Sequence, residues 1–72
     1  MIIVRNEINE IVEMFDTTFE FKEFLYDELS EMDKGLKEDT GAGIFDVQVR
    51  DVPFNLQLKT YLEMTENRLE FR

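Results

Sequence analysis

The chain of 72 residues contains no cysteine and no histidine, and its 17 acidic and 8 basic residues give a net charge of −9. Disulfides, zinc sites and catalytic schemes that need an imidazole base are therefore excluded. A surface this acidic repels phosphate groups, so direct binding to nucleic acid or to an anionic membrane is not expected.

The length corresponds to one small domain spanning residues 1–72. A core of this size rarely contributes more than roughly 3–5 kcal/mol without a disulfide, a metal or a partner subunit. Self-association into a homodimer is therefore expected as a further source of stability. The first apolar run, Met1–Val4, is too short for a signal peptide or a membrane span. We therefore expect a cytoplasmic protein.

The first predicted element is a helix from Asn6 to about Phe15. Apolar residues follow the i, i+3, i+4 and i+7 spacing of one helical face at Ile8, Ile11, Val12 and Phe15. Asn6 is a suitable N-cap because its side-chain oxygen can accept a hydrogen bond from an unpaired backbone N–H group. Glu10 and Glu13 lie on the opposite side of this predicted helix.

A second, longer helix is predicted from Thr17 to Asp39. Thr17 and Glu20 have the three-residue separation of a capping box. An apolar stripe about 80° wide is expected to be buried and consists of Phe21, Leu25, Leu29, Met32 and Leu36. An acidic arc of similar width lies opposite and consists of Glu20, Glu23, Asp27, Glu31 and Glu38. The glycine-rich stretch Asp39–Gly43 is expected to end the helix.

After Gly43 the apolar period changes to two, which predicts strands over residues 44–72. Apolar residues alternate through Phe45–Val49 and again through Leu56–Met64. The second pattern would place Tyr61 on a solvent face or on a second packing surface such as a dimer contact.

Turns are expected around Pro53 and at Thr65–Asn67, and a short last strand at Leu69–Phe71. The sequence therefore predicts an α+β fold with two N-terminal helices packed on a C-terminal three-stranded antiparallel sheet. In this arrangement residues 1–39 form an acidic helical half and residues 44–72 form the strands.

The acidic residues are unevenly distributed along the chain. Residues 7–39 contain twelve acids and three bases, a net charge of −9, whereas the other residues contain five of each. Like charges three or four residues apart cost roughly 0.2–0.5 kcal/mol per pair in an exposed helix. Glu23, Asp27 and Glu31 form such a row without a lysine between them. Since stability does not require this row, we expect it to have a role in binding.

The acidic helical face favours a partner with a basic surface. Carboxylates about 5–6 Å apart along a helix approximate the phosphates of a nucleic-acid strand, which are about 3.4 Å apart. We therefore expect a small non-enzymatic inhibitor that binds the basic nucleic-acid-binding groove of a target protein. In size and acidity the chain resembles the nucleic-acid mimics that phages often encode. The expected partner-binding residues are Glu10, Glu13, Glu20, Glu23, Phe24, Asp27, Glu28 and Glu31.

The alternative is an ordinary assembly or regulatory subunit in which the acids provide only solubility. Its contacts would come from the sheet or from the aromatic residues Phe24, Phe54 and Tyr61, and binding would depend little on salt. Ser30 is the only serine, and Asp39–Gly43 lacks the ligand spacing of a calcium loop. No phosphate-binding glycine motif occurs either. Catalytic residues, cofactors and metals are therefore not expected.

Overall fold

The computed structural model describes all 72 residues, from Met1 to Arg72. The elements in chain order are strand β1 (Ile2–Arg5), strand β2 (Ile11–Phe15), helix α1 (Thr18–Thr40), a 3-10 helix (Val49–Asp51), helix α2 (Phe54–Met64) and strand β3 (Arg68–Phe71). β1 lies in the centre of the sheet and is antiparallel to β2 on one side and to β3 on the other. The predicted order of two N-terminal helices followed by a C-terminal sheet is wrong, because both ends of the chain contribute strands to the sheet.

A β-hairpin replaces the helix predicted from Asn6 to Phe15. The side-chain oxygen of Asn6 accepts hydrogen bonds from the backbone N–H groups of Ile8 at 3.1 Å and Glu10 at 2.9 Å. Asn9 has a φ of 67°, a left-handed conformation that asparagine tolerates better than most residues. Asn6 therefore satisfies backbone donors as predicted, but it does so in the turn between two strands.

A β-bulge in this hairpin places Ile11 and Phe15, which the predicted helix had on one side, on opposite faces of the sheet. The register of β2 against β1 shifts beyond Glu13, and Val12 is left without a partner. The extra residue places Ile11 and Met14, three positions apart, on the same face of the sheet. The many β-branched residues nevertheless favour extended backbone here.

The prediction for α1 is confirmed at both ends. Thr17 is the N-cap, and its hydroxyl accepts a hydrogen bond from the backbone N–H of Glu20 at 3.2 Å. Gly41 ends the helix with a φ of 81°, and its N–H donates to the carbonyl of Lys37. The inner side of the helix is fully buried at Phe21, Leu25 and Leu29 and half-buried at Met32 and Leu36.

Helix α2 occupies the segment predicted as a strand over Leu56–Met64. Its inner side has helical spacing and consists of Phe54, Gln57, Leu58 and Tyr61. Three of the apolar residues that produced the alternating pattern are exposed, namely Leu56, Leu62 and Met64. A glutamine interrupts the buried stripe, and its side-chain amide donates to the carbonyls of Val49 and Val52, both at 2.9 Å. These two hydrogen bonds compensate for its burial.

The segment Phe45–Val49, also predicted as a strand, is irregular and leads into the 3-10 helix. It pairs with no strand, and the sheet consists only of β2, β1 and β3. Buried Asp33 holds the start of this segment by accepting a hydrogen bond from the N–H of Ile44 at 2.7 Å. A Cβ atom at Gly43 would collide with the same carboxylate, so this close approach requires glycine.

The hydrophobic core lies between the helices and one face of the sheet. Its buried residues are Ile2, Val4, Phe21, Leu25, Leu29, Val49 and Tyr61. The prediction that Tyr61 faces solvent is wrong, since only 2% of it is exposed. The other face of the sheet is open to solvent at Ile11 and Met14. Neither helix combines the length and the apolar composition that a membrane-spanning segment needs.

Candidate acidic interaction surface

Four carboxylates follow one line along the solvent side of α1, and we call them the acidic stripe: Glu20, Glu23, Asp27 and Glu31. Intervals of three and four residues place consecutive members about one helical turn apart, so the stripe is about 16 Å long. All four residues are exposed. The buried inner side of α1 anchors the helix, and this fixes the direction in which the acidic stripe faces.

No basic side chain forms an ion pair with the acidic stripe. The ion pairs of the protein join Arg5 and Arg72 to Glu70, Lys37 to Asp33, and Lys59 to Glu63. α1 as a whole contains eight acids and three lysines, a net charge of −5. The stripe is therefore a line of carboxylates without ion-pair partners along a helix that is itself acidic, although Lys22 and Arg50 line a groove beside Glu23.

Two further residues from the predicted set, Glu13 and Glu28, converge from different elements. Glu13 in β2 and Glu28 in α1 line a shallow depression of about 260 Å³ with Phe24 and Tyr61. Burial raises the pKa of the Tyr61 hydroxyl, a hydrogen bond from Asn67 at 2.8 Å opposes this shift, and the charges of Glu28 and Glu13 add to it. The two carboxylates thus extend the negative surface from α1 onto the hairpin.

Phe24, expected at the border of the acidic face, packs against the core. Its ring centroid lies 5.0 Å from that of Phe15 and 5.9 Å from that of Tyr61. The side chain is only half-buried, so one edge still borders the depression with Glu13 and Glu28. Most of this ring therefore stabilises the fold and only a part of it can meet a partner.

Glu10 lies in the turn of the hairpin and not on a helix as predicted. Its carboxylate accepts a hydrogen bond from the side-chain amide of Asn6 at 3.3 Å. The structure therefore divides the eight predicted residues into three sets. Four form the acidic stripe, three surround the depression beside Tyr61, and Glu10 belongs to the turn.

An exposed aromatic residue beside the acidic stripe was missing from the predicted set. Phe19 is 71% exposed and lines a shallow groove of about 400 Å³ with Glu23, Tyr26 and Arg50. On a helical wheel Phe19 lies about 40° from Glu23 and about 160° from buried Phe21. Wheel position alone therefore marks Phe19 as a surface residue next to the stripe.

Exposed apolar residues also gather on the hairpin, where sequence analysis predicted a helix. Ile8, Ile11, Val12 and Met14 are between 46% and 70% exposed. No pattern in the sequence could identify them as surface residues of a hairpin once the segment was interpreted as helical. Nowhere in the chain do three or more potential metal-binding carboxylates come together as a metal site.

A scan against protein-family models, a search of curated proteins and a search of solved structures each returned no match. Function is therefore inferred from geometry and charge.

Proposed function

We propose that this protein is a small non-enzymatic inhibitor that binds the basic nucleic-acid-binding groove of a target protein and imitates the charge of a nucleic acid. The observation that carries the proposal is the acidic stripe. Its four carboxylates are exposed and aligned, and none of them takes part in an ion pair. Ordinary helix surfaces intersperse charges of both signs.

The stripe is also preorganised, which lowers the entropic cost of binding. α1 has 23 residues, is capped by Thr17 and Gly41, and is buried along its inner side. A basic groove that accepts phosphates about 3.4 Å apart along a strand would meet carboxylates about 5 Å apart. Complementary potentials of this kind accelerate association and select against acidic partners.

The main test is capture of partners from a host lysate at low and at high salt, with DNA or RNA added as a competitor. We expect capture to weaken steeply with salt, because salt ions screen the attraction between the charges. We also expect nucleic acid to reduce capture, because it occupies the basic groove. The double substitution Asp27→Lys with Glu31→Lys should abolish capture while circular dichroism shows an unchanged fold.

A matched control changes the net charge equally at sites away from the stripe. Asp46 and Asp51 are exposed residues outside α1, and neither forms an ion pair. Asp46→Lys with Asp51→Lys should therefore retain capture. Equal binding by both double variants and the parent would show that the stripe is not the contact.

The second candidate is an assembly or regulatory subunit, and the exposed apolar residues of the hairpin favour it. Binding would then be insensitive to salt and sensitive to substitution of Ile11 or Met14. Phe24, Phe54 and Tyr61, the contacts first expected for this role, belong to the core or pack against it. Sedimentation over a range of protein concentrations measures whether the contact is a homodimer.

A further inference from the structure

The two free edges of the sheet differ in composition. β3 presents Arg68 and Glu70, with Arg72 directly after the strand, and charged residues of this kind discourage pairing with another strand. β2 contains no lysine, arginine or proline. Its apolar side chains Ile11, Val12 and Met14 are about half exposed. The edge of β2 therefore lacks the cationic residues that protect β3, and only Glu13 and the bulge at Val12 oppose pairing there.

The outer side of β2 has unused hydrogen-bonding groups. β1 is the only neighbour of β2 in the sheet, and no other hydrogen bond of the protein involves residues 11–15. Unpaired N–H and C=O groups in a row can accept an added strand. This edge therefore has the backbone chemistry of a docking site for an extended segment.

The side chains of β2 specify which segment would fit. Ile11 and Met14 point to the open face of the sheet, whereas Glu13 lies beside Glu28 on the helical face. Neither carboxylate forms an ion pair. A strand added next to β2 would thus meet apolar groups on one face and carboxylates on the other.

We infer that the free edge of β2 binds an extended segment of the target protein in which lysines or arginines alternate with apolar residues. This inference rests on the proposed function, since the same basic partner supplies the cations. A second copy fits less well. Two β2 strands paired symmetrically about Glu13 would place this carboxylate opposite its own counterpart, and each copy has a net charge of −9.

The test uses the full chain and a capped synthetic peptide of alternating lysine and valine, about eight residues long to match a strand. Backbone amide shifts and hydrogen exchange are measured by NMR at low salt as the peptide is added. We expect slower exchange at the outward-facing amides of residues 11–15. A control peptide has the same composition, with the lysines and valines in separate blocks, and should bind about tenfold more weakly without protecting β2.

Protein variants provide the second arm of the test. Glu13→Lys should weaken binding of the alternating peptide about tenfold, whereas Asp46→Lys, with the same change in charge, should leave it unchanged. Both residues are exposed, and circular dichroism verifies the fold of each variant.

Three results would overturn the inference. Equal binding of both peptides with shifts confined to α1 would leave the acidic stripe as the only contact. Absence of any peptide binding would exclude the edge as a docking site. Protection of β2 that grows with protein concentration without peptide would show that a second copy occupies the edge. Failure of the proposed function would give a different result from failure of this inference. Lysate capture would then be insensitive both to salt and to substitution of Asp27 and Glu31.

Discussion

Helix α1 carries carboxylates in two contrasting environments. Asp33 is buried, accepts a hydrogen bond from the N–H of Ile44 at 2.7 Å and pairs with Lys37 at 2.9 Å. The acidic stripe is exposed and pairs with no basic residue. Asp33 attaches the following segment to the helix, whereas the side chains of the stripe form no hydrogen bond or ion pair within the fold.

The comparison shows that the role of an acidic residue depends on what faces it in the folded chain. Asp33 and Glu31 are two residues apart and both carry a carboxylate, yet only Asp33 meets a lysine and a backbone donor. A row of like charges without structural partners slightly destabilises a helix. Such a row is therefore a better candidate for binding a partner than acidic residues that form hydrogen bonds or ion pairs within the fold.

The largest expected effect comes from the buried side of α1. Leu25 is fully buried, so Leu25→Ala should lower the free energy of unfolding by about 2–5 kcal/mol. Urea denaturation followed by circular dichroism measures this loss. Glu31→Gln, on the opposite side of the same helix, should change stability by less than about 0.5 kcal/mol. Similar losses of stability in both variants would contradict the assignment of Leu25 to the buried side and Glu31 to the exposed side.

Asp33 should show its structural role through pH. The hydrogen bond from Lys37, followed by that from the Ile44 N–H, holds the pKa of Asp33 below the usual value of 3.8. Because the folded pKa is lowered, its contribution is present above pH 3.8 and disappears as the pH falls through the folded value.

Asp33→Asn should therefore have a lower urea midpoint than the parent at neutral pH, by less than Leu25→Ala. Hydrogen exchange at Ile44 should also be faster in this variant. The difference between the two midpoints should shrink as the pH falls through the folded pKa. A difference that stays constant with pH would mean that the charge of Asp33 contributes nothing.

Two glycines of the same helix should respond in opposite directions to alanine. Gly41 has a φ of 81°, so Gly41→Ala should cost about 1–2 kcal/mol. Gly35 lies within the helix, and a Cβ atom there would meet nothing within 4 Å. Gly35→Ala should therefore stabilise the protein by about 0.5–1 kcal/mol. Thermal melts of both variants measure the two changes in melting temperature. Changes of the same sign would argue against the left-handed cap at Gly41.

The smallest stability change should accompany a large change in binding. Glu23→Gln with Asp27→Asn removes repulsion within the acidic stripe and should stabilise the fold by about 0.2–0.5 kcal/mol. Lysate capture at low salt should nevertheless fall. Glu63→Gln, which removes the partner of Lys59 at 3.9 Å, is the control and should leave capture intact. A stabilised variant that still binds fully would show that the stripe carboxylates only repel one another and do not bind the partner.

Sequence reasoning succeeded where the determinants are local. The threonine cap, the 3.6-residue period of α1, its glycine end and the acidic arc all depend on residues a few positions apart. It failed for the hairpin because Asn6 can satisfy backbone donors in a turn as well as in a helix cap. It failed for α2 because Gln57, a polar residue, occupies a buried position, where the carbonyl groups of Val49 and Val52 accept its hydrogen bonds.

The sequence by itself therefore determined the long central helix, the last short strand and the amount of negative charge on α1. Only the tertiary structure decided that β1 pairs with strands from both ends of the chain, since strand pairing joins residues that are remote in sequence. Only the tertiary structure likewise decided which carboxylates lack a partner. Ion pairs and burial arise when separate segments meet, and no local pattern encodes that meeting.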